Sequence, residues 1–450
     1  MGQSPSPRAY VPIAMRDYPA PPAVYGIGMT TSANGNLARL SDTNSSWTRL
    51  IGVLWPDIEP TEGARNWGAA AALEDDLRAF ASARVNVSLI IQQTPAWAQR
   101  VANQWCGPVK PEKYAAMGRF IGDVVKRYSA PPYNVEFYEF WNEPDGPFRK
   151  DGVEFRGVGC WGDTSDPYFN GREYGSALKV AYQSAKQVNP NVKIMVGGLL
   201  MDCGPNPVPS KPECQVINKF FEGLLITAGG NFDGVSFHAY DVADFPVKVG
   251  AYIGFPGWGS AWNTTGPSVL DKTKFIKGRL AAAGVTGKFL INTEVALVVF
   301  GGGPITLFTQ PERELTKAYY VTQSYAAALS EGLIGNIWYD IGGWFGSGLI
   351  RSDGSQTDAY KALKVVSVRL ARPRYLGPVT SADLGGATNV FGFKFDRGDR
   401  KVWVVWSKDG ASHTTNFATA PLEVVDALGV AQSTGKNIPI TIKPLYIEWP

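Results

Sequence analysis

The chain has 450 residues, 43 Lys and Arg against 40 Asp and Glu, a formal net charge of +3 and only 18% charged residues. That length exceeds one minimal domain, and the near-neutral, charge-poor composition excludes a nucleic-acid-coating or disordered chain. Two histidines, His238 and His413, exclude multi-histidine zinc and di-iron sites, so neither a metal nor another cofactor is expected, and no apolar run approaches the roughly 18 residues of a membrane span. Aromatic residues, at 12% with 14 Trp, leave rings over for a surface or cleft once a core is filled.

In chain order, residues 1–20 are rich in Pro and Ser and read as a tail or an edge strand. MGQSPSPRAY has no apolar h-region, so no signal peptide is visible. From residue 21, short apolar or β-branched runs alternate with helical spacing. The runs are AVYGIGM (23–29), WTRLIGVLW (47–55), VNVSLIIQQ (85–93), VEFYEFWNE (135–143), VKIMVGGLL (192–200), FDGVSFHAY (232–240), KFLINTEVAL (288–297) and GNIWYDI (335–341). Between them Tyr114, Met117, Ile121, Val124, Val125 and Tyr128 recur at three- and four-residue steps, as do Tyr174, Leu178, Ala181, Tyr182, Ala185 and Val188. Eight strand–helix repeats predict an α/β fold, a (β/α)8 TIM barrel over residues 21–371, with an open doubly wound sheet as the alternative. After TDAYKALKVVSVRLA (357–371) only short alternating strands remain, which predicts a small all-β antiparallel sandwich over 372–450.

Cys106, Cys160, Cys203 and Cys214 lack the CxxC spacing of a zinc or redox motif. A Cys203–Cys214 bond would close the proline-rich loop DCGPNPVPSKPEC and leave Cys106 with Cys160; four unpaired thiols are the alternative. Oxidised cysteines would mark a secreted or extracytoplasmic protein.

In a parallel barrel, reactive groups belong at the carboxyl ends of the strands. Glu143 closes the fourth run and Glu294 the seventh, on different sides of the mouth. Two facing carboxyl groups are the apparatus of glycoside hydrolysis, one protonating the leaving oxygen and the other attacking the anomeric carbon or activating water. Glu143 follows Trp141 and Asn142 with no adjacent cation, so desolvation would keep it protonated. Glu294 needs a cation or hydroxyl donor, and Arg49 and Tyr240 are the candidates. Trp55 and Trp338, at strand ends, and Trp97, Trp105, Trp161, Trp258, Trp262, Trp344 and Phe345, in mouth segments, are candidates to stack on sugar. His238 reads as a sugar-hydroxyl or supporting donor rather than a proton shuttle, and His413 as a surface residue.

WNEP at 141–144, HAY at 238–240, the strand-seven TE at 293–294 and the strand-eight Trp338 resemble the retaining glycosidases of the 4/7 barrel superfamily, clan A. YEFWNEPD followed by a β-domain most resembles glycoside hydrolase family 39. The resemblance implies Glu143 as acid/base, Glu294 as nucleophile and Asn142 as the amide that binds the sugar 2-hydroxyl. It further implies that Arg49 supports the nucleophile, that His238 and Tyr240 form the strand-six pair, and that Trp338 is the platform beneath the sugar. The loops holding the cysteines and the segment GFPGWGSAW (254–262) match no part of that pattern.

The expected function is therefore a retaining β-glycosidase acting on an oligosaccharide or polysaccharide, with a bell-shaped pH dependence on the mildly acidic side. Its alternatives are a non-catalytic carbohydrate-binding barrel, an inverting hydrolase, and an exo-acting β-xylosidase-type enzyme in place of an endo-acting one.

Overall fold

A computed structural model describes residues 23–147, 159–206, 208–243, 249–255, 257–258, 266–299 and 311–450. The tail at 1–20, Trp262 and the glycines at 301–303 lie outside the described residues. Eight strands alternate with eight principal helices: β1 (Tyr25–Ile27), α1 (Asn36–Asp42), β2 (Trp47–Leu54), α2 (Ala71–Ser82), β3 (Asn86–Gln92), α3 (Tyr114–Tyr128), β4 (Phe137–Asn142), α4 (Gly171–Val188), β5 (Lys193–Leu199), α5 (Phe220–Ala228), β6 (Gly234–Ala243), α6 (Ser268–Ala282), β7 (Phe289–Val298), α7 (Pro311–Ser330), β8 (Asn336–Trp338) and α8 (Asp358–Arg369). The strands are parallel in the order β5-β4-β3-β2-β1-β8-β7-β6, and a β5–β6 pairing closes them. This is the (β/α)8 barrel; the open sheet is excluded.

The helical spacing places its apolar stripe inward. Met117, Phe120, Ile121, Val124, Val125 and Tyr128 of α3 are buried, whereas Val188, at the end of α4, is exposed. Inside the barrel, Trp47, Phe137, Met195, Ile291 and Ile337 form a floor of large side chains, one each from five strands. Above it the filling turns polar, beginning with Arg49 two residues beyond Trp47 and Glu139 two beyond Phe137, because alternate residues of a strand face the same side.

The C-terminal strands β9 (Arg374–Pro378), β10 (Val390–Asp396), β11 (Lys401–Ser407), β12 (Glu423–Asp426) and β13 (Leu445–Trp449) form an antiparallel sheet in the order β9-β10-β11-β13-β12. A two-stranded piece, His413–Thr414 with Pro439–Ile440, accompanies it. One face of the sheet, with Val402, Val404, Trp406 and Tyr446, joins the barrel's core; Tyr446 Oη donates to Thr322 on α7 at 3.2 Å, and Arg369 of α8 pairs with Glu423 and Glu448. The other face packs Val405, Leu445 and Ile447 into a small second core with Phe417, Ile438 and Ile440.

Disulfides join Cys106 to Cys160 and Cys203 to Cys214. The first ties the loop after β3 to the loop after β4, and the Cys106 carbonyl accepts the Trp141 indole N–H at 3.0 Å. Among the described residues no helix is long and apolar enough to cross a membrane.

Candidate active site

Two local irregularities aim the glutamates. At the end of β4, Trp141 (φ 76°) and Glu143 (φ 45°) adopt left-handed backbone that non-glycine residues rarely take. The turn is held by the Trp141 N–H, by Trp161 edge-on at 5.2 Å, and by the Glu143 amide donating to the Gly198 carbonyl at 2.9 Å. On β7 the pairing with β6 slips between Phe237 and His238, so Asn292 lies opposite Phe237 but Glu294 opposite His238. Without the extra residue, alternation from Ile291 would give that place to Thr293; the bulge gives it to Glu294.

The outcome is a compact polar cluster. His238 Nδ1 lies 2.8 Å from Glu143 Oε1 and 3.5 Å from Glu294 Oε2, and the nearest such atoms of all three side chains fall within 4.8 Å of one another. Glu294 accepts hydrogen bonds from Arg49 Nη1 on one oxygen and from the Tyr240 hydroxyl on the other. Arg49 also binds both oxygens of Glu139 at 2.9 Å and donates to Asn142 Oδ1 at 2.7 Å. Glu139 further accepts from Ser88, Ser236 and the Gly198 amide. Gly198 is required here: a Cβ would sit 2.2 Å from His238 Nε2 and 3.0 Å from Arg49 Nη2.

The electrostatics differ between the two glutamates. Burial raises Glu143 from 4.5 to about 7, against the lowering pull of Arg49 and Lys272. Burial also pushes His238 down to about 4, so its ring is neutral over the mildly acidic range. Burial opposes charge on Glu139 too, but Arg49's charge and hydrogen bonds, with that of Ser88, hold it below the usual carboxylate value. Tyr240 is raised well above its ordinary value, first by burial and then by the charge of Glu294, so it stays a donor. Lys272 of α6 is buried, donates to the Leu200 and His238 carbonyls at 2.8 Å, and is lowered by that burial to about 8.

Among the described residues, Glu143, His238 and Glu294 are the one set of three side chains grouped as metal ligands usually are. Two ligands on one tetrahedral zinc stand about 3.3 Å apart. The 2.8 Å between His238 and Glu143 is a hydrogen bond instead.

Glu143, Glu294, Asn142, Arg49, His238 and Tyr240 are thus gathered at one point. Of the two expectations for His238, a sugar-hydroxyl donor or a supporting donor, the geometry agrees with the second: the ring is buried and its Nδ1 meets Glu143 at 2.8 Å. Trp55 and Trp338 are likewise not open platforms. Trp55 is buried against Phe120, with its N–H on Glu59, and Trp338 is buried with its N–H on the Ser347 carbonyl at 2.9 Å. Trp97 is half-buried, edge-on to Trp55 with its N–H on the Glu59 carbonyl, and Trp161 and Trp258 are buried. The rings that remain open are Trp105, 40% exposed, and Trp344 and Phe345, each 42% exposed; Trp344 packs 5.8 Å from Tyr240. A cavity of about 260 Å³ lies beside Arg49, lined also by Thr293, Tyr339, Asp340, Asp76 and Ile51; neither Glu143 nor Glu294 lines it.

Sequence reasoning missed Glu139, Lys272 and Tyr339. For Glu139 a signal existed: it stands two residues from Phe137 on the inward row, where a charge demands a buried partner. Lys272 lies on a helix whose burial pattern nothing local foretells.

No family model matches the chain, and no curated protein matches it. Solved structures do. A family 39 glycoside hydrolase from Bacteroides cellulosilyticus WH2 is similar with TM-score 0.67 and 17% identity, covering 95% of this chain and 81% of that one. A family 30 subfamily 8 xylanase from Clostridium acetobutylicum is similar with TM-score 0.58 and 12% identity, covering 95% and 96%. A family 51 α-L-arabinofuranosidase from Bifidobacterium longum is similar with TM-score 0.54 and 13% identity, covering 95% and 92%. The likeness is one of fold, shared with glycoside hydrolases of families 39, 30 and 51, among them the family that the sequence resembles.

Proposed function

We propose, on the premise of this fold shared with glycoside hydrolases, that the protein is a retaining β-glycosidase that cleaves an oligo- or polysaccharide by double displacement. Glu294 attacks the anomeric carbon while Glu143 protonates the departing oxygen. Glu143 then takes a proton from the water that releases the sugar, regaining the proton it gave up.

The observation that carries this reading is the close, asymmetric carboxylate pair. One oxygen of each glutamate within 4.8 Å of the other supports direct attack, since a retaining pair stands roughly 5 Å apart and an inverting pair roughly 6.5–9.5 Å. Arg49 and Tyr240 favour a charged Glu294, and burial favours a protonated Glu143. Asn142, fixed through Arg49, supports its assignment to the sugar 2-hydroxyl. Trp105, Trp344 and Phe345 are exposed rings that support a groove for a sugar chain, hence endo action. Two disulfides support an extracytoplasmic location.

The test is the configuration of the first-formed product, followed by NMR on an aryl β-glycoside. Retention is expected; early appearance of the opposite anomer overturns double displacement. Glu294→Ala should lose turnover and regain it with azide as the inverted glycosyl azide. Binding of oligosaccharide without any release of aglycone by the unaltered protein would identify a non-catalytic barrel.

A further inference from the structure

The C-terminal sheet has one face against the barrel and the other over its own small core, and among the described residues that second face is not covered to its end. On β11 the residues facing this side run Val405, Trp403, Lys401, and on the paired β13 they run Leu445, Ile447, Trp449. Phe417, Ile438 and Ile440 cap the inner half. The outer half leaves Trp403 and Trp449 half-buried, their rings 4.1 Å apart and inclined by 46°, with Phe417 edge-on to Trp449 at 5.2 Å. They line a hollow of about 460 Å³ with Asp383, Lys401 and Thr419 at its rim.

We propose that this hollow is a second carbohydrate-binding site, separate from the carboxylate pair, that holds a chain of β-linked pyranoses. A β-linked pyranose with equatorial hydroxyls offers a flat C–H face to an aromatic ring and a rim of hydroxyls to polar groups. The hollow offers both. Neither the Trp403 nor the Trp449 indole N–H has a hydrogen-bond partner among the described residues. Asp383 is already oriented, with Lys394 at 2.9 Å and the Thr380 amide and hydroxyl at 2.7 Å on one oxygen, while its other oxygen accepts only from Lys394 at 3.1 Å. That oxygen has room for a sugar hydroxyl. Lys401 and Thr419 are exposed and supply donors. The size falls within the roughly 300–1,000 Å³ of small-ligand sites, and the few lining residues fall short of the 20–30 per side of a standard protein interface. The proposal does not depend on which glutamate acts, because the site lies on the sheet face turned away from the barrel.

The experiment is native affinity electrophoresis of the full chain carrying Glu294→Ala, in gels containing β-1,4-xylan, mixed-linkage β-glucan or β-1,6-glucan. Retardation is expected in at least one gel. Adding Trp403→Ala and Trp449→Ala should weaken it about tenfold, the scale of one lost aromatic contact. Since both rings also brace the small core, Thr419→Arg decides the matter: it fills the hollow from an exposed position without removing a packed atom, and should weaken retardation similarly. In the chain with Glu294 intact, Thr419→Arg should leave hydrolysis of a small aryl glycoside unchanged. The proposal is overturned if no gel retards the Glu294→Ala chain, or if Thr419→Arg leaves retardation as it was. Loss of retardation with Trp344→Ala, beside Tyr240, but not with Thr419→Arg overturns it equally. A failure of the catalytic reading would instead appear as no turnover with these bindings intact.

Discussion

Glu143 should cost the folded protein stability at neutral pH, and Glu143→Gln should return it. The side chain is 11% exposed, and burial moves its titration from 4.5 to about 7. At about 1.4 kcal/mol per unit, that shift corresponds to about 3 kcal/mol. Below pH 4.5 the acid is protonated in both folded and unfolded chains and no difference arises. As pH rises toward 7 the unfolded chain releases the proton while the folded protein keeps it, so stability falls, and above 7 the whole penalty is present. Glutamine has the shape of the protonated acid and does not titrate. The variant should therefore match the parent near pH 4 and exceed it by about 3 kcal/mol near pH 8. Paired urea transitions of the two proteins, read by tryptophan fluorescence across that range with disulfides intact, measure the difference. A difference that does not change with pH, or that grows toward acid, refutes the reasoning.

The same titration should set the alkaline limb of kcat/KM near pH 7, and Lys272→Met, by removing a charge that favours ionised Glu143, should move that limb to higher pH; an unmoved limb would deny the coupling. Glu139→Ala strips Arg49 of its two-point partner inside the barrel and should cost about 3–5 kcal/mol, seen as an earlier thermal transition, together with a fall in kcat. Replacing Cys106 and Cys160 by serine opens a loop spanning 54 residues and should cost about 4 kcal/mol, against about 3 for Cys203 and Cys214 with 11; denaturant midpoints in the reverse order would argue against the loop-entropy account.

Residues 23–29 through 335–341 declare eight strands because a parallel barrel strand, buried on both faces, must be a nearly continuous apolar run, and such runs are local. The placement of Glu143 just past the end of β4 was legible for the same reason, whereas β7 runs on to Val298 and carries Glu294 within it rather than at its end. Two partners of Glu294 were legible too: Arg49 and Tyr240, the candidates read from the sequence, both bind it. Which tryptophans face the mouth was not legible. Trp338 and Trp55 stand at strand ends in sequence, yet both are buried while Trp344 remains open, because burial depends on what the rest of the chain packs against each ring. Nor does the sequence reveal the β7 bulge that sets Glu294 opposite His238, or the left-handed turn that aims Glu143, since each is a response to strands and loops far away in the chain. The amino-acid order by itself determined the barrel, the C-terminal sheet and the two acids, because periodicity and residue type act locally. Only the tertiary structure decided the distances between them, the pairing of Glu139 with Arg49 and the burial that raises Glu143, because desolvation and register depend on elements that meet only when the barrel closes.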